Sequence, residues 1–297
     1  MIIGKSQFPN TLEKVPIVSF RLALGKEVNS LRDVFFRVEQ SDKDTETYLE
    51  LGDIQAVPEY TGELAYADVR EGYKMTIQAK EYLLGLKIEY RWLRTDQLRV
   101  ARDLPRMLGL AMRRRIAAAS LSWFNNMFNV ARPTKDALAL CSSAHTSAVG
   151  GATQSNRVAL IYSAANLEAV RITMRKFLSN KDNPLEIAPN MIVGGVDLDG
   201  PFQETIESSG KVDVDINNMN IHKGKYTAVT DVRIQDPANW CVIDKSLMKE
   251  YNIWNEVDKP DIKKAEDFDG RTMKYLIASF FGEGSTDWPW ILGSEVS

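Results

Sequence analysis

Cysteine and histidine are scarce in this 297-residue chain: two of each, Cys141 and Cys241, His145 and His222. Two thiols a hundred positions apart give no disulfide framework and suit a reducing compartment. A zinc site takes about four ligands, and no CxxC or HxxxH spacing supplies them. No apolar run approaches the roughly 20 residues that cross a bilayer. The first ten residues lack the basic segment and apolar core of a secretory signal. An excess of base is missing too. The net charge is −3, whereas a general nucleic-acid binder is usually basic. There is no internal repeat and no low-complexity tract. These absences leave no expected metal, cofactor or membrane partner, and a chain long enough for one large domain or two ordinary ones.

What is present begins with one long helical signal, Thr95 to Asn129. Thr95 and Asp96 start a short first turn, and Asp103 followed by Pro105 restarts the helix, because proline fits best in a first turn. Leu104, Leu108, Met112, Ile116, Ala119, Trp123 and Met127 recur at steps of three or four, one face of a helix. Met107, Leu110, Leu121, Phe124 and Phe128 widen the stripe, so the rod is expected to be covered on more than one side. From Leu104 to Phe128, at ~1.5 Å per residue, it spans roughly 37 Å.

The flanking segments read differently. Residues 1–45 have no strong amphipathic period and are expected to lie against something else as an arm; Leu31–Val38 fits a strand or a helical turn. In 46–91, Tyr73, Met75, Ile77 and Ala79 alternate with Lys74, Thr76, Gln78 and Lys80, and Leu86, Ile88 and Tyr90 with Lys87, Glu89 and Arg91. That period of two predicts strands with one wet face in a long two-stranded excursion. An isolated hairpin is marginal in water, so support from outside its own chain is expected. Residues 130–160 are loop-rich. Residues 161–245 read as a second α/β unit: Ser163 as N-cap of a helix carrying Leu167, Val170 and Met174, a strand at Met191–Val193, a helix opened by Pro201, and strands at Ala228–Ile234 and Trp240–Ile243. Residues 246–297 return to extended structure, with Lys259-Pro260 as a break and the aromatic Asp287-Trp288-Pro289-Trp290 pinning the end.

Charge is segregated. Asp42 to Glu71 holds nine carboxylates, among them Glu50, Asp53, Glu59 and Glu63, against two bases. Arg91 to Arg115 holds eight arginines, among them Arg106, Arg113, Arg114 and Arg115, against two acids. Such runs are either solvated faces or complementary surfaces that meet between subunits, where the planar fork of arginine favours carboxylates.

Catalytic patterns are thin. Cys141 and His145 invite a thiol-enzyme reading, but no third orienting residue is marked, and catalytic Cys and His are usually distant in sequence. His222, among Asn217, Asn218 and Asn220, is expected on a surface loop. Gly194-Gly195 lacks the spacing of a phosphate cradle. A structural or binding role is expected, not an enzyme.

Five short motifs occur in order, the first in two parts. Thr45-Glu46-Thr47-Tyr48-Leu49-Glu50-Leu51-Gly52 is followed by Pro58-Glu59-Tyr60-Thr61-Gly62, then Leu140-Cys141-Ser142-Ser143-Ala144-His145, Asn166-Leu167-Glu168-Ala169, Asp236-Pro237-Ala238-Asn239-Trp240 and Asp287-Trp288-Pro289. Over about 45–297 this resembles the major capsid proteins of tailed phages with the Hong Kong 97-type fold, and among them the Mu-like major head subunit family. The resemblance implies an α+β fold with an N-terminal arm (1–45), an extended β-hairpin loop and lead-in strand (46–94), a peripheral domain with a long spine helix (95–160), an axial α/β domain (161–245) and peripheral return strands (246–297). It implies self-association as hexamers and pentamers into an icosahedral head around double-stranded DNA, without sequence-specific binding. Scaffolding, portal and decoration proteins are the implied partners, with assembly in the host cytoplasm and residence in the virion. No long propeptide is expected. Two alternatives stand beside it: an encapsulin-like compartment shell, and a cysteine hydrolase using Cys141 and His145.

Overall fold

The apolar stripe of the central helix dictates what packs around it. A computed structural model describes residues 29–54, 57–60, 62, 64, 66–67, 69–95, 100–210 and 219–296. Most of the arm, residues 1–28, lies outside the described residues. Helix α1 (Asn29–Phe35) leads into β1 (Arg37–Gln40), so the ambiguous Leu31–Val38 is helix and then strand. After β2 (Thr45–Leu51), β3 (Glu71–Gln78), β4 (Lys80–Glu89) and the short α2 (Tyr90–Thr95), the central rod is α3 (Val100–Ser120) followed by α4 (Ser122–Asn125). All seven residues of the predicted face are buried.

The rod departs from expectation in three places. It starts at Val100, ahead of Asp103, and carries Pro105 inside it. It breaks at Leu121, where the Ser120 and Ser122 hydroxyls donate to the Ile116 and Ala119 carbonyls and compete with the helical ladder. Met107 is exposed, so the stripe does not widen on that side.

Two larger sheets share a core with the rod. The first has the order β1-β9-β10-β4, with β9 (Asn252–Asp267) and β10 (Thr272–Ser285) forming a long antiparallel hairpin. Helix α3 packs on β10 and β4. The expected break at Lys259-Pro260 is instead inside β9. The pairing of Ala278 with Asp261 and of Phe280 with Asp258 leaves one extra residue on β9 there, a bulge. Beyond Glu256 the outer edge of β9 is unpaired by β1. A residue without an N–H is tolerated at such a bulge and edge.

The second sheet has the order β5-β11-β8-β6-β7, from β5 (Arg157–Val158), β6 (Met191–Gly194), β7 (Thr227–Thr230), β8 (Trp240–Ile243) and β11 (Ile291–Ser294). Helix α5 (Ala164–Met174) packs on β8 and β11, and Ser163 caps it by accepting from the Asn166 N–H at 3.1 Å. Helix α6 (Asp199–Glu207) follows β6. Strand β7 is shorter than predicted because Asp231 accepts from the Arg233 N–H and turns the chain. Helix α7 (Lys245–Tyr251), capped by Asp244, opens the segment expected to be extended. One apolar core joins both sheets and the rod. Within it Phe35, Trp123 and Trp290 meet edge to face at 5.2 and 5.4 Å, so the closing aromatic motif does pin the end of the chain.

The excursion is a separate two-stranded sheet, β2 against β3. Its strand β3 passes through the single residue Ala79 into β4. Residues 73, 75, 77 and 79 face inward as the alternation predicts. Gly282 of β10 lies under this junction. A Cβ there would sit 2.8 Å from Gln78 O and 2.9 Å from Ala79 Cα. Since both obstacles are backbone, Gly282→Ala is expected to lower stability by about 1–3 kcal/mol. Gly85→Ala in β4, where the nearest atom is 3.6 Å away, is expected to be neutral or stabilising by up to about 1 kcal/mol. Urea midpoints of the two variants compare them directly, and equal midpoints would contradict the steric account.

Candidate assembly interface

The excursion has a fixed base and an open tip. At the base, Glu50 of β2 accepts from Lys135 Nζ at 2.7 Å, from Asn180 Nδ2 at 3.0 Å and from the Tyr73 N–H at 3.1 Å. Lys135 also donates to Asp287 at 2.5 Å. All three charged side chains are nearly covered, at 11%, 9% and 14% exposure for Lys135, Glu50 and Asp287. Burial alone would lower the Lys135 ammonium, but Asp287 and Glu50 together hold it above its usual range. Burial pushes the Asp287 carboxyl up against the pull of Lys135. One residue group further along, Asp53 accepts from Asn183 Nδ2 and Ser179 Oγ at 2.8 and 2.7 Å, and its own N–H donates to Asn180 Oδ1 at 2.9 Å. Those bonds, Asn183 first, hold its carboxyl below the usual value. The loop after α5 thus grips the base of the excursion.

Among the described residues the tip has no such charged holds. Val57, Tyr60, Leu64 and Tyr66 are 95%, 75%, 69% and 87% exposed. Glu59 is exposed beside them, and Glu63 lies outside the described residues. On the rod, Arg106 and Arg114 are exposed and Arg113 is half-buried. Arg115 is committed within the chain, stacked 4.2 Å over the Tyr82 ring and donating to its hydroxyl at 2.8 Å. Of the acids singled out in the sequence, Glu50 and Asp53 are therefore engaged internally. The structure brings none of Arg106, Arg113, Arg114 and Arg115 to them.

The Cys141–His145 pair is not a poised nucleophile. Cys141 is fully buried, and burial pushes its thiol far up. Both ring nitrogens of His145 face acceptors: Nδ1 meets Asp136 Oδ2 at 2.6 Å and Nε2 meets Asn156 Oδ1 at 3.0 Å. The Asn156 amide is fixed by donating to the Leu140 and Ile291 carbonyls. Both His145 nitrogens are thus engaged by Asp136 and Asn156, and neither is bonded to the thiol. Trp288 stacks on the imidazole at 4.5 Å and 6°, so His145 is a structural tie for the loop after the rod. His222 corrects another expectation. It is buried, with Nε2 against the Ala164 carbonyl at 3.1 Å. Among the described residues no cluster of His, Cys, Asp and Glu fits a metal ion, and no helix is long and apolar enough to cross a membrane.

Two predictions follow from these buried charges. Lys135→Met leaves two carboxylates buried without their cation, and should cost about 3–5 kcal/mol in urea unfolding. Adding Glu50→Gln and Asp287→Asn should recover most of that loss. A wild-type midpoint for the single variant would refute the role given to Lys135. Burial acts to raise the Asp136 carboxyl, but the bonds from His145 and Thr134 outweigh it and hold it below its ordinary 3.8. A depressed carboxyl stabilises the fold above its unfolded value, and that stability is lost as pH falls through the folded value. Asp136→Asn should therefore show a shallower acid-side fall in urea midpoint than the wild type.

No protein-family model matches the sequence, and no curated protein does. Solved structures do match. The bacteriophage JBD30 capsid aligns at TM-score 0.59 and 14% identity, over 71% of this chain and 93% of that one. The capsid of an empty GTA particle aligns at TM-score 0.58 and 15% identity, over 92% and 91%. The bacteriophage PhiM1 mature capsid aligns at TM-score 0.54 and 10% identity, over 91% and 87%. Identity this low carries the fold alone, and on that ground the chain has the α+β Hong Kong 97-type fold of phage capsids.

Proposed function

We propose that this chain is a major capsid protein, a shell subunit that associates with its own copies into hexamers and pentamers and closes an icosahedral phage head around double-stranded DNA. The observation that carries this reading is the match to capsids along nearly the whole chain, together with an extended loop whose apolar tip stands exposed among the described residues. Contiguous apolar exposure of this kind marks a protein contact. In a ring, each subunit offers one surface to the next and receives another, so the tip of one loop lies on its neighbour. Residues 46–94 act as that loop and its lead-in strand, 95–160 and 246–297 as the peripheral domain, 161–245 as the axial domain and 1–45 as the arm. The short motifs favour the Mu-like head subunits within this class. Scaffolding, portal and decoration proteins are its further partners, and the virion its destination. Glu59 and Glu63 of the tip pair with Arg106 and Arg114 of a neighbour, with Arg113 beside them, while Glu50, Asp53 and Arg115 hold each subunit's own geometry.

Electron microscopy of the purified chain, alone and with its neighbouring genes, tests the assembly. Closed shells or capsomer rings are expected, and uniform monomers under both conditions would overturn it. Replacing Val57, Tyr60 and Tyr66 with serine should abolish shells while leaving the melting temperature unchanged. Arg106→Glu with Arg114→Glu should weaken assembly in the same way, and normal shells from that pair would dismiss the charge pairing. Cys141→Ser should still assemble.

A further inference from the structure

The two outer edges of the first sheet are unlike. The outer edge of β9 is blunted: a bulge and Pro260 interrupt it, and Lys259, Lys263 and Lys264 stand along it. Bulges, prolines and lysines are what keep a sheet edge from pairing with another chain. Strand β4 lacks the first two. Its ten residues, Lys80–Glu89, pair with β10 in one unshifted register and include no proline. Its lysines, Lys80 and Lys87, lie near the two ends. The stretch between, Tyr82-Leu83-Leu84-Gly85-Leu86, is uncharged, and Leu83 and Leu84 are 53% and 48% exposed. In an antiparallel pair, alternate residues turn their N–H and C=O groups away from the partner. Among the described residues β10 is the only strand beside β4, so those groups of β4 are offered to a further strand.

The sequence of β4 fits one partner, a second copy of itself. Two identical strands paired antiparallel are related by a two-fold axis perpendicular to the sheet, so both keep the same face toward their rods. Directly opposed residues lie on one face, and successive side chains alternate faces, so opposed residue numbers must be both odd or both even. A register centred on Gly85 sets Glu81 against Glu89, and like charges directly opposite are destabilising. A register centred on Leu83 sets Glu81 against Gly85 and Lys87 against Ala79, with no charge matched. Centred on Leu84, the strand answers itself. Glu81 opposes Lys87 on both sides of the axis, Tyr82 opposes Leu86, Leu84 meets Leu84, and the bulk of each Leu83 lies against Gly85. Opposite-charge and apolar cross-strand pairs are the unit of sheet stabilisation. We propose that β4 pairs edge to edge with β4 of a second copy, antiparallel about a two-fold axis at Leu84. This goes beyond the ring contacts, in which one surface meets a different one. Here a surface meets itself, so the contact joins copies in pairs.

The test uses the full chain carrying Leu84→Cys, an exposed position that this register sets opposite its own copy. Opposed Cα atoms in an antiparallel pair are about 4.5–5.5 Å apart, a spacing that a disulfide spans. Cys141 and Cys241 are buried and stay out of the reaction. Oxidised glutathione is the oxidant, and non-reducing gels read the fraction of covalently paired chains across a dilution series. Lys263→Cys, exposed on β9, controls for chance collision. Leu84→Cys should link chains in pairs, and the control should not. Adding Glu81→Lys, or Lys87→Glu, sets like charges opposite each other on both sides of the axis and should raise the concentration for half-linking about tenfold. Adding both together matches the charges again and should restore linking. Linking of Leu84→Cys no greater than the control overturns the pairing. So does a single reversal without effect, or a double reversal no better than the singles. Shells seen by electron microscopy without this link would leave the proposed function standing and remove only this contact. Linked pairs in a chain that builds no shells would keep the contact and remove the shell.

Discussion

The buried ammonium of Lys135 is the constraint on which the arrangement of parts depends. Its two carboxylates come from β2 and from the aromatic segment before β11, while the lysine itself sits in the loop after the rod. Three stretches far apart in sequence are thus brought to one point. Charges taken out of water are tolerated only when each finds its partner. The chain cannot move the excursion's base away from the body without stranding a charge. The neutral donors Ser179, Asn180 and Asn183, bonded to the Asp53 and Glu50 carboxylates, add a second hold from the loop after α5.

That fixed base makes sense of the free tip. Polar groups dominate where the excursion meets its own body, and apolar side chains dominate where it leaves it. The same split runs along the rod: Arg115 is tied to Tyr82, whereas Arg106 and Arg114 point into solvent. Residues that set the chain's internal geometry are therefore distinct from those left exposed on its surface. Sign of charge alone does not separate the two groups.

What was legible in the sequence was periodic. The seven-residue face of the rod, the alternation in β3 and β4, the apolar runs of β6 and β8 and the Ser163 cap all follow from spacing that a core or a helix end imposes locally. What escaped depended on distance. Nothing near Lys135 announces Glu50 or Asp287, 85 and 152 positions away. His222 looked like a loop residue because its neighbours are asparagines, and only the packing of α5 makes it buried. Pro260 looked like a strand breaker because the bulge and the free edge that accommodate it are properties of the sheet. The break at Leu121 was hidden too, since leucine suits a helix and the serines on either side act through hydroxyl geometry.

The junction at Ala79 has a mechanical consequence. Because only the single residue Ala79 separates β3 of the excursion from β4 of the main sheet, a force applied at the tip has no flexible linker in which to dissipate. Eight residues of β3 make a lever of roughly 26 Å. Its fulcrum is the close backbone crossing at Gly282, where there is no slack for sliding. Torque on the tip therefore arrives in β10, and through β10 in the rod packed upon it, so a load on the loop is felt in the body of the chain.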